Sequence, residues 1–488
     1  VYSINGFTVE NPNDSLFSQQ WGLHRIKTPA AWAVSSGNPA IIIGVIDTGV
    51  DYLHPDLDGQ IWMNAGEIGT DAQGNDKRTN GIDDDGNGFI DDFRGWDFTD
   101  RAGFPFDSSG GDYLNWDNDP MDENTFSHGT AVSGIIAAKR NNLLGISGIV
   151  PESKVMAVRA FDPGGFGEED DVAAAILYAT INGAQVINMS FGDYSFSYVL
   201  RDVIRFASAQ GVVLVASSGN SGSAAPHYPS GYSEVISVGN SMKSDYPSGN
   251  SNYGSTLDLI APGTEIPTLA RKYQYSLFSG TSAAAPHVSA AAALILSIQT
   301  FSAEEIKQIL KSSSDDVGDP GWDIRSGAGR INLERAVRVL SPASIMFSQP
   351  KQDFATTGTP FPVIASVLSP YFESYSLYYG KGLNPTAWTP LVENVKSQKY
   401  NDTLALVNVS NEQDTVFALR LVVKFINGST TEERVNFHKI SKASKTELIS
   451  VIPSYYGNKP TIMAALYTEQ PAIARMYYRE NSSSPFRF

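Results

Sequence analysis

Between Ala40 and Asn240 the chain repeats one grammar, a short continuously apolar run followed by a longer stretch rich in small or amphipathic residues. The apolar runs are AIIIGVIDTGVD, SKVMAVRAF, AQVINMSFG, VVLVASSGN and VISVGN, and between the first four lie SHGTAVSGIIAAK, EEDDVAAAILYATING and YVLRDVIRFASAQG. A run that is apolar at every position has no wet face, so it reads as a strand buried on both sides, the condition of a parallel sheet covered by helices. Strands alternating with helices of this length predict an α/β fold with a doubly wound parallel sheet and flanking helices. Such open sheets carry their sites at the carboxyl ends of the strands.

Three residues with chemical potential sit where that rule puts them. Asp47 closes the first apolar run, His128 opens the helix SHGTAVSGIIAAK, and Ser282 lies in FSGTSAAAPHVSAA at the entry of a helix predicted to reach about Ile298. Pro286 is expected near the start of that helix, and Gly129 beside His128 permits close backbone approach. Taken singly, an Asp starts a turn, a His packs on a surface and a Ser caps a helix. Taken together they supply a carboxylate, an imidazole and a hydroxyl, the set in which a base activates an otherwise poor nucleophile.

The blocks VIDTGVDYLHPDL, SHGTAVSGIIAA and FSGTSAAAPHVSA, in that order, resemble the three signature segments of the subtilisin-like serine protease family across roughly residues 14 to 340. The resemblance implies that Ser282 attacks, His128 shuttles the proton and Asp47 orients His128. It implies an oxyanion donor at Asn220 within Ser218-Gly219-Asn220. It also implies pocket walls at Ser190-Phe191-Gly192 and Ser217-Ser218-Gly219, and an edge strand for extended peptide at Gly164-Gly165-Phe166. His227, before Tyr228-Pro229, falls at the pocket floor, where many relatives carry something smaller, so a narrowed or more polar pocket is expected. Ala131 and Ala283 depart from the family pattern at positions that perform no chemistry.

From residue 60 to 124 the sequence is polar and rich in Gly, Asp and Asn, which predicts a long insertion rather than a core element. Five aspartates fall within the ten residues from Asp83 to Asp92, beside glycines, and clustered carboxylates repel unless a cation neutralises them. The spacing matches the first half of an EF-hand loop, with Asp83, Asp85, Asn87, the Phe89 carbonyl and Asp91 as calcium ligands. Position 12 is Arg94 instead of Glu, which argues against a true EF-hand. Family resemblance alone implies a second calcium site built from Asp14, Asp56, Asn142 and the carbonyls of Arg140, Leu144 and Ile146.

After Ala343 helical periodicity gives way to alternating aromatic and β-branched runs separated by turn signals, which predicts an antiparallel β-sandwich over 343–440. Residues 441–488 read as a β extension or partial second module, and residues 1–342 as the catalytic domain. The formal net charge of −17 argues against nucleic acid and anionic lipid as partners. With no cysteine, bracing must come from something other than disulfides. No apolar run is long enough for a membrane span, and VYSINGFTVE has neither an initiating Met nor a signal peptide's pattern. The missing Met predicts a processed product, and the resemblance, not any surviving signal, implies a secreted, monomeric endopeptidase of broad specificity, acting on protein or peptide substrates and matured from a precursor by loss of its own N-terminal pro-segment. A narrow processing protease and a non-catalytic scaffold are the alternatives.

Overall fold

The computed structural model describes residues 11–99, 116–338, 342–352 and 354–441, and the backbone of 446–456 and 459–468. The chain divides into two compact units, Val1–Ser344 with Ser369–Tyr371, and Ile345–Leu368 with Phe372–Phe488.

The first unit is built on strands β1 (Ile42–Asp47), β2 (Gly95–Asp97), β3 (Lys154–Arg159), β4 (Val186–Met189), β5 (Val213–Ser217), β6 (Val235–Ser241) and β7 (Leu259–Pro262). They form a seven-stranded sheet in the order β2-β3-β1-β4-β5-β6-β7, parallel throughout. Two short helices, α1 (Trp21–Arg25) and α2 (Thr28–Ala31), precede it. The crossovers carry α3 (His128–Ala137), α4 (Glu169–Ile181) and α5 (Tyr198–Ala209). A two-stranded antiparallel ribbon of β8 (Ile266–Ala270) and β9 (Gln274–Phe278) leads into α6 (Thr281–Leu296), followed by α7 (Ala303–Ser313) and α8 (Leu333–Arg338). Strand β1 lies between β3 and β4, so the strand order switches direction at β1 and Asp47 stands at the mouth of that switch point.

Alternate side chains of the strands enter two cores. Ile43, Val45, Val155, Ala157 and Val213 face the layer containing α3 and α6, and Ile46, Met156, Val158, Ile187 and Leu214 face the layer containing α4 and α5. Helix α6 is buried almost all round, and its alanines let the sheet approach closely. Pro286 falls inside α6, one turn beyond Ser282, and removes the N–H that would have bonded to the Ser282 carbonyl. Helix α7 starts on a capping box: Ser302 Oγ accepts from Glu305 N–H and Glu305 accepts from Ser302 N–H.

The stretch 60–124 is not wholly peripheral. It contributes edge strand β2, and Trp96 and Phe98 are buried in the second core. Phe89 packs edge-on against Trp96, Phe98 and Tyr178 at 5.1, 5.7 and 4.8 Å between ring centres. A three-residue strand offers no periodicity, and the surrounding polar residues masked the aromatic triplet that anchors it. Residues 100–115 of the stretch lie outside the described residues.

The second unit has a three-stranded sheet, β10 (Ser344–Gln349), β12 (Phe361–Leu368) and β15 (Lys399–Val407), in that order. A five-stranded sheet runs β11 (Phe354–Thr356), β17 (Thr430–Lys439), β16 (Thr415–Phe425), β13 (Phe372–Lys381), β14 (Thr389–Val395). Phe361 of one sheet meets Phe437 of the other at 5.1 Å, and Phe437 stacks on Phe417, which gives the sandwich its apolar interior. The pairs β12–β15, β13–β14, β13–β16 and β16–β17 are antiparallel, whereas β11 pairs in parallel with β17. Strands β18 (Thr446–Tyr456) and β19 (Lys459–Thr468) form an antiparallel pair within the expected β extension, whose residues 469–488 lie outside the described residues.

Candidate active site

The end of β1 and the start of α3 bring Asp47 and His128 together although 81 residues separate them, with His128 Nδ1 2.7 Å from Asp47 Oδ1. The approach depends on Gly129, because a Cβ there would lie 2.0 Å from the Gly49 carbonyl oxygen. Thr48 strengthens the junction: its N–H donates to Asp47 Oδ1 and its hydroxyl accepts from Gly129 N–H. Asp47 is buried, whereas the His128 side chain is 27% exposed, so one ring nitrogen is committed and Nε2 is left for an external proton. Burial disfavours the imidazolium, but the Asp47 charge and hydrogen bond, with Asp122 behind them, outweigh it and raise the His128 pKa.

Ser282 is the second residue of α6, and the ring of Phe278, which ends the preceding β9, stands edge-on to His128 at 5.1 Å. The Ser282 hydroxyl donates to the Ser190 carbonyl at 3.0 Å, and the Ser190 hydroxyl donates to the Ser282 carbonyl at 3.0 Å. That carbonyl is the one Pro286 frees. Asn188 Nδ2 donates to Ser190 Oγ and Ser289 Oγ donates to Asn188 Oδ1, so a buried polar chain fixes the segment that carries Ser282.

Asn220 Oδ1 accepts from Thr281 N–H at 2.9 Å and from its hydroxyl at 3.1 Å. Those bonds fix the amide oxygen on Thr281, the residue before Ser282, and leave Nδ2 as the group that can donate elsewhere.

Ser190-Phe191-Gly192 leaves β4, and Ser217-Ser218-Gly219 completes and leaves β5, so the two predicted walls are neighbours across the sheet. His227 lies between them: a Cβ on Gly192 would meet its Cε1 at 2.4 Å, and one on Gly219 its Cδ2 at 3.0 Å. Its Nδ1 is buried without a hydrogen-bond partner, and burial lowers its pKa against the opposing pull of the Ser217 carbonyl and Asp193. Gly164-Gly165-Phe166 forms no strand. The segment is a turn closed by Asp162 N–H on the Phe166 carbonyl, with Phe166 exposed, because no strand among the described residues pairs with it.

The acidic loop folds differently from the predicted ligand set. Asp83 accepts from the N–H groups of Gly86, Asn87 and Gly88, Asp91 accepts from Gly81 N–H, and Asn87 Oδ1 accepts from Phe89 N–H. Of the predicted ligands only Asp85 joins a convergent cluster, with Glu67 and Asp92, whose oxygens lie within 4.8 Å of one another. Asn64 Nδ2 bridges Asp85 and Asp92 at 2.9 and 2.7 Å. Glu67 is fully buried and its Oε2 has no partner. Burial and mutual repulsion raise the pKa values of Glu67 and Asp92. Three hard oxygen donors with one buried and unpaired fit a calcium ion.

The second predicted set also assembles around one loop. Asp14 accepts from the N–H groups of Asn141 and Asn142, while Asp56 accepts from Asn142 Nδ2 at 2.6 Å and Ile146 N–H at 3.1 Å. Asn142 Oδ1 accepts from Leu144 N–H, the Leu144 carbonyl accepts from Ser15 N–H, and the Arg140 guanidinium covers Trp32. Burial, with Asp56 adding to it, raises the Asp14 pKa.

Asp47 and His128 meet at the switch point of this sheet and α6 carries Ser282, so the site holds the carboxylate, imidazole and hydroxyl that hydrolysis of the serine protease type uses. The Subtilase family profile matches residues 38–329, and the chain belongs to that family. It is 37% identical over 327 residues to the thermophilic serine proteinase of Bacillus sp. (strain AK1), which covers 67% of this chain and 69% of that protein. Thermitase of Thermoactinomyces vulgaris is 34% identical over 330 residues, 67% of this chain and 99% of the relative. The halolysin-like extracellular serine protease Nep of Natrialba magadii is 31% identical over 331 residues, 68% and 53% respectively. The chain is a serine endopeptidase. No helix among the described residues is long and apolar enough to cross a membrane.

Proposed function

We propose that the protein is a secreted, calcium-braced endopeptidase of broad specificity in which Asp47, His128 and Ser282 are the catalytic triad and Asn220 the side-chain oxyanion donor. The observation that carries the reading is the 2.7 Å bond from His128 to Asp47, made beside the helix that presents Ser282. His128 Nε2 takes the Ser282 proton as Oγ bonds to the scissile carbonyl carbon. Asp47 holds the imidazole and balances its charge, while Asn220 Nδ2 and the Ser282 N–H receive the oxyanion. The proton then passes to the departing amine. Water, deprotonated by the same imidazole, releases the acyl group from Ser282.

Substrate lies between Ser190-Phe191-Gly192 and Ser217-Ser218-Gly219, with His227 at the pocket floor and Gly164-Gly165-Phe166 alongside. Main-chain contacts dominate such binding, which favours many sequences. Glu67, Asp85 and Asp92, with the loop of Asp83, Asn87, Phe89 and Asp91, hold one calcium ion. Asp14, Asp56 and Asn142, with the carbonyls of Arg140, Leu144 and Ile146, hold a second. Calcium at these places neutralises buried carboxylates and stabilises the folded loops by mass action. Secretion, maturation by loss of a pro-segment and a monomeric state complete the proposal. The extracellular assignment of the Natrialba magadii relative supports the first of these. Residues 1–342 form the catalytic domain, 343–440 the sandwich and 441–488 its extension.

Hydrolysis of a denatured labelled protein by wild type and Ser282→Ala, each with calcium and with chelator, tests this reading. Many cut sites for wild type and none for Ser282→Ala are expected. A handful of cut sites points to a narrow processing enzyme, for which the ring of His227 between the pocket walls offers a basis.

A further inference from the structure

A second carboxylate stands behind the Asp47–His128 pair. Asp122 is fully buried. Its Oδ1 accepts from the Thr48 hydroxyl at 3.1 Å and from Asn124 N–H at 3.0 Å. Its Oδ2 accepts from Thr130 N–H at 3.1 Å and from the Thr130 hydroxyl at 2.6 Å. Thr48 follows Asp47, and Thr130 sits in the first turn of α3, two residues after His128. Asp122 therefore grips, through one oxygen, the loop that carries the catalytic carboxylate and, through the other, the helix turn that carries the imidazole.

Nothing in the fold of α3 requires this. Ser127, the residue before His128, has left-handed backbone at φ 57° and makes no side-chain cap. The Thr130 N–H, at the third position of α3, is one of the donors a helix start leaves unpaired, and an acidic partner there is favoured by the helix dipole. A neutral acceptor would satisfy that N–H as well. What the carboxylate adds is a fixed negative charge in a dry site, near the imidazole that becomes cationic when Ser282 loses its proton.

We propose that Asp122 is a positioning residue of the hydrolytic site: it clamps the Asp47 loop to the first turn of the His128 helix, and its charge supports the imidazolium formed during acyl transfer. The inference rests on the triad reading above. Asp122 is among the groups that raise the His128 pKa, after Asp47. Burial raises the Asp122 pKa to about 6 against the Thr130 and Asn124 bonds that lower it, and the Asp47 charge raises it further. The charged groups around it are Asp47 on β1, His128 on α3, Glu123 on the same loop, Arg159 at the end of β3, and Arg271 after β8, whose guanidinium donates to the Asn124 carbonyl at 3.1 Å. Arg159 is paired with Asp97 at 3.0 Å and Glu123 at 3.3 Å and donates to the Met121 carbonyl at 3.5 Å. Asp51 N–H, on the loop after Asp47, donates to the Thr130 hydroxyl. Its own carboxylate is engaged by Lys272 N–H.

Asp122→Asn preserves shape and can still accept from Thr130 and donate to Thr48, while removing the charge. The test is kcat and KM on a fluorogenic peptide across the acid limb of the pH profile, for full-length calcium-loaded enzyme. Asp122→Asn should lower kcat about tenfold with KM within about twofold, and should move the acid limb of kcat/KM down by roughly half to one pH unit. Thr130→Val, which deletes one donor and so leaves Asp122 protonated to higher pH, should move the limb in the same direction by less. Thr130→Ser should behave as wild type. Should Asp122→Asn fail to fold, the Thr130 pair carries the same test. An unmoved acid limb in whichever variants fold, even with lower stability or activity, overturns the proposal and leaves Asp122 as packing alone. Retained hydrolysis in Ser282→Ala would instead overturn the triad reading, so the two failures are distinguishable.

Discussion

Ser190 and Ser282 exchange hydrogen bonds, each hydroxyl donating to the other's carbonyl at 3.0 Å. The exchange is possible because Pro286 cannot bond back to the Ser282 carbonyl, so a proline inside a helix leaves an acceptor at the proposed nucleophile. Ser190 takes it, and Asn188 and Ser289 take Ser190 in turn.

Ser190→Ala should therefore cost more than a wall residue of a pocket would. It leaves the Ser282 carbonyl and Asn188 Nδ2 without their partner, a loss of about 1–3 kcal/mol in stability. Denaturant unfolding on the Ser282→Ala background, which prevents self-cleavage, measures it without the confusion of autolysis.

Replacing Asn220 with Leu removes the oxyanion donor and leaves the Thr281 N–H to find another acceptor. Turnover should fall about 10²- to 10³-fold with little change in KM, a magnitude established on subtilisin itself. Steady-state kinetics on a peptide substrate decide the point, and a loss confined to KM would contradict the assignment.

The acid limb of kcat/KM should lie above the ordinary imidazole value of about 6.5, because the net effect around His128 raises its pKa. Activity needs the neutral ring and is lost as pH falls through the raised value. Stability runs the other way. The contribution from protonated His128 is fully present below the unfolded-state value and disappears as pH rises through the folded-state one. Asp47→Asn should drop kcat by about 10⁴-fold and lower the midpoint of that limb, which a pH–rate profile would reveal.

Chelation should lower the unfolding temperature of Ser282→Ala, and less so at acid pH. Without an ion, Glu67 and Asp92 have raised pKa values, so their folded-state advantage is present when they are protonated and is lost as pH rises through those values. Glu67→Gln should shrink the calcium-dependent shift in the melt. A melt indifferent to chelator at neutral pH would remove calcium from the proposal.

His227→Gly should open the space between Gly192 and Gly219 and shift the preferred side chain before the cleaved bond toward large aromatics. Cut-site mapping on a peptide library reads this directly, and an unchanged preference would place the floor elsewhere.

The central sheet was legible because its strands are apolar at every position. The proposed triad and Asn220 came instead from the resemblance of their segments to a known family, because each residue taken singly reads as a turn, a surface side chain or a helix cap. The edge strand β2 was not legible, since three residues carry no period and Trp96 and Phe98 sit among polar neighbours. The acidic loop was legible only in part. Spacing within a turn says which side chains are near one another in sequence, but Asp83 and Asp91 spend their oxygens on backbone N–H groups. Glu67, from a separate short helix, supplies the buried donor. Asp122 was equally hidden: its partners Thr48 and Thr130 lie 74 and 8 residues away, and no local pattern joins them.

The residues assigned to bond breaking come from the first strand laid down at the middle of the sheet, from a helix 81 residues later, and from a helix entered only after the last strand of that sheet. No contiguous fragment of the emerging polypeptide contains more than part of the machinery until the whole α/β unit exists. Proteolytic competence is thus a late event in the life of each molecule. A chain still assembling is a potential victim of finished copies before it can be an aggressor.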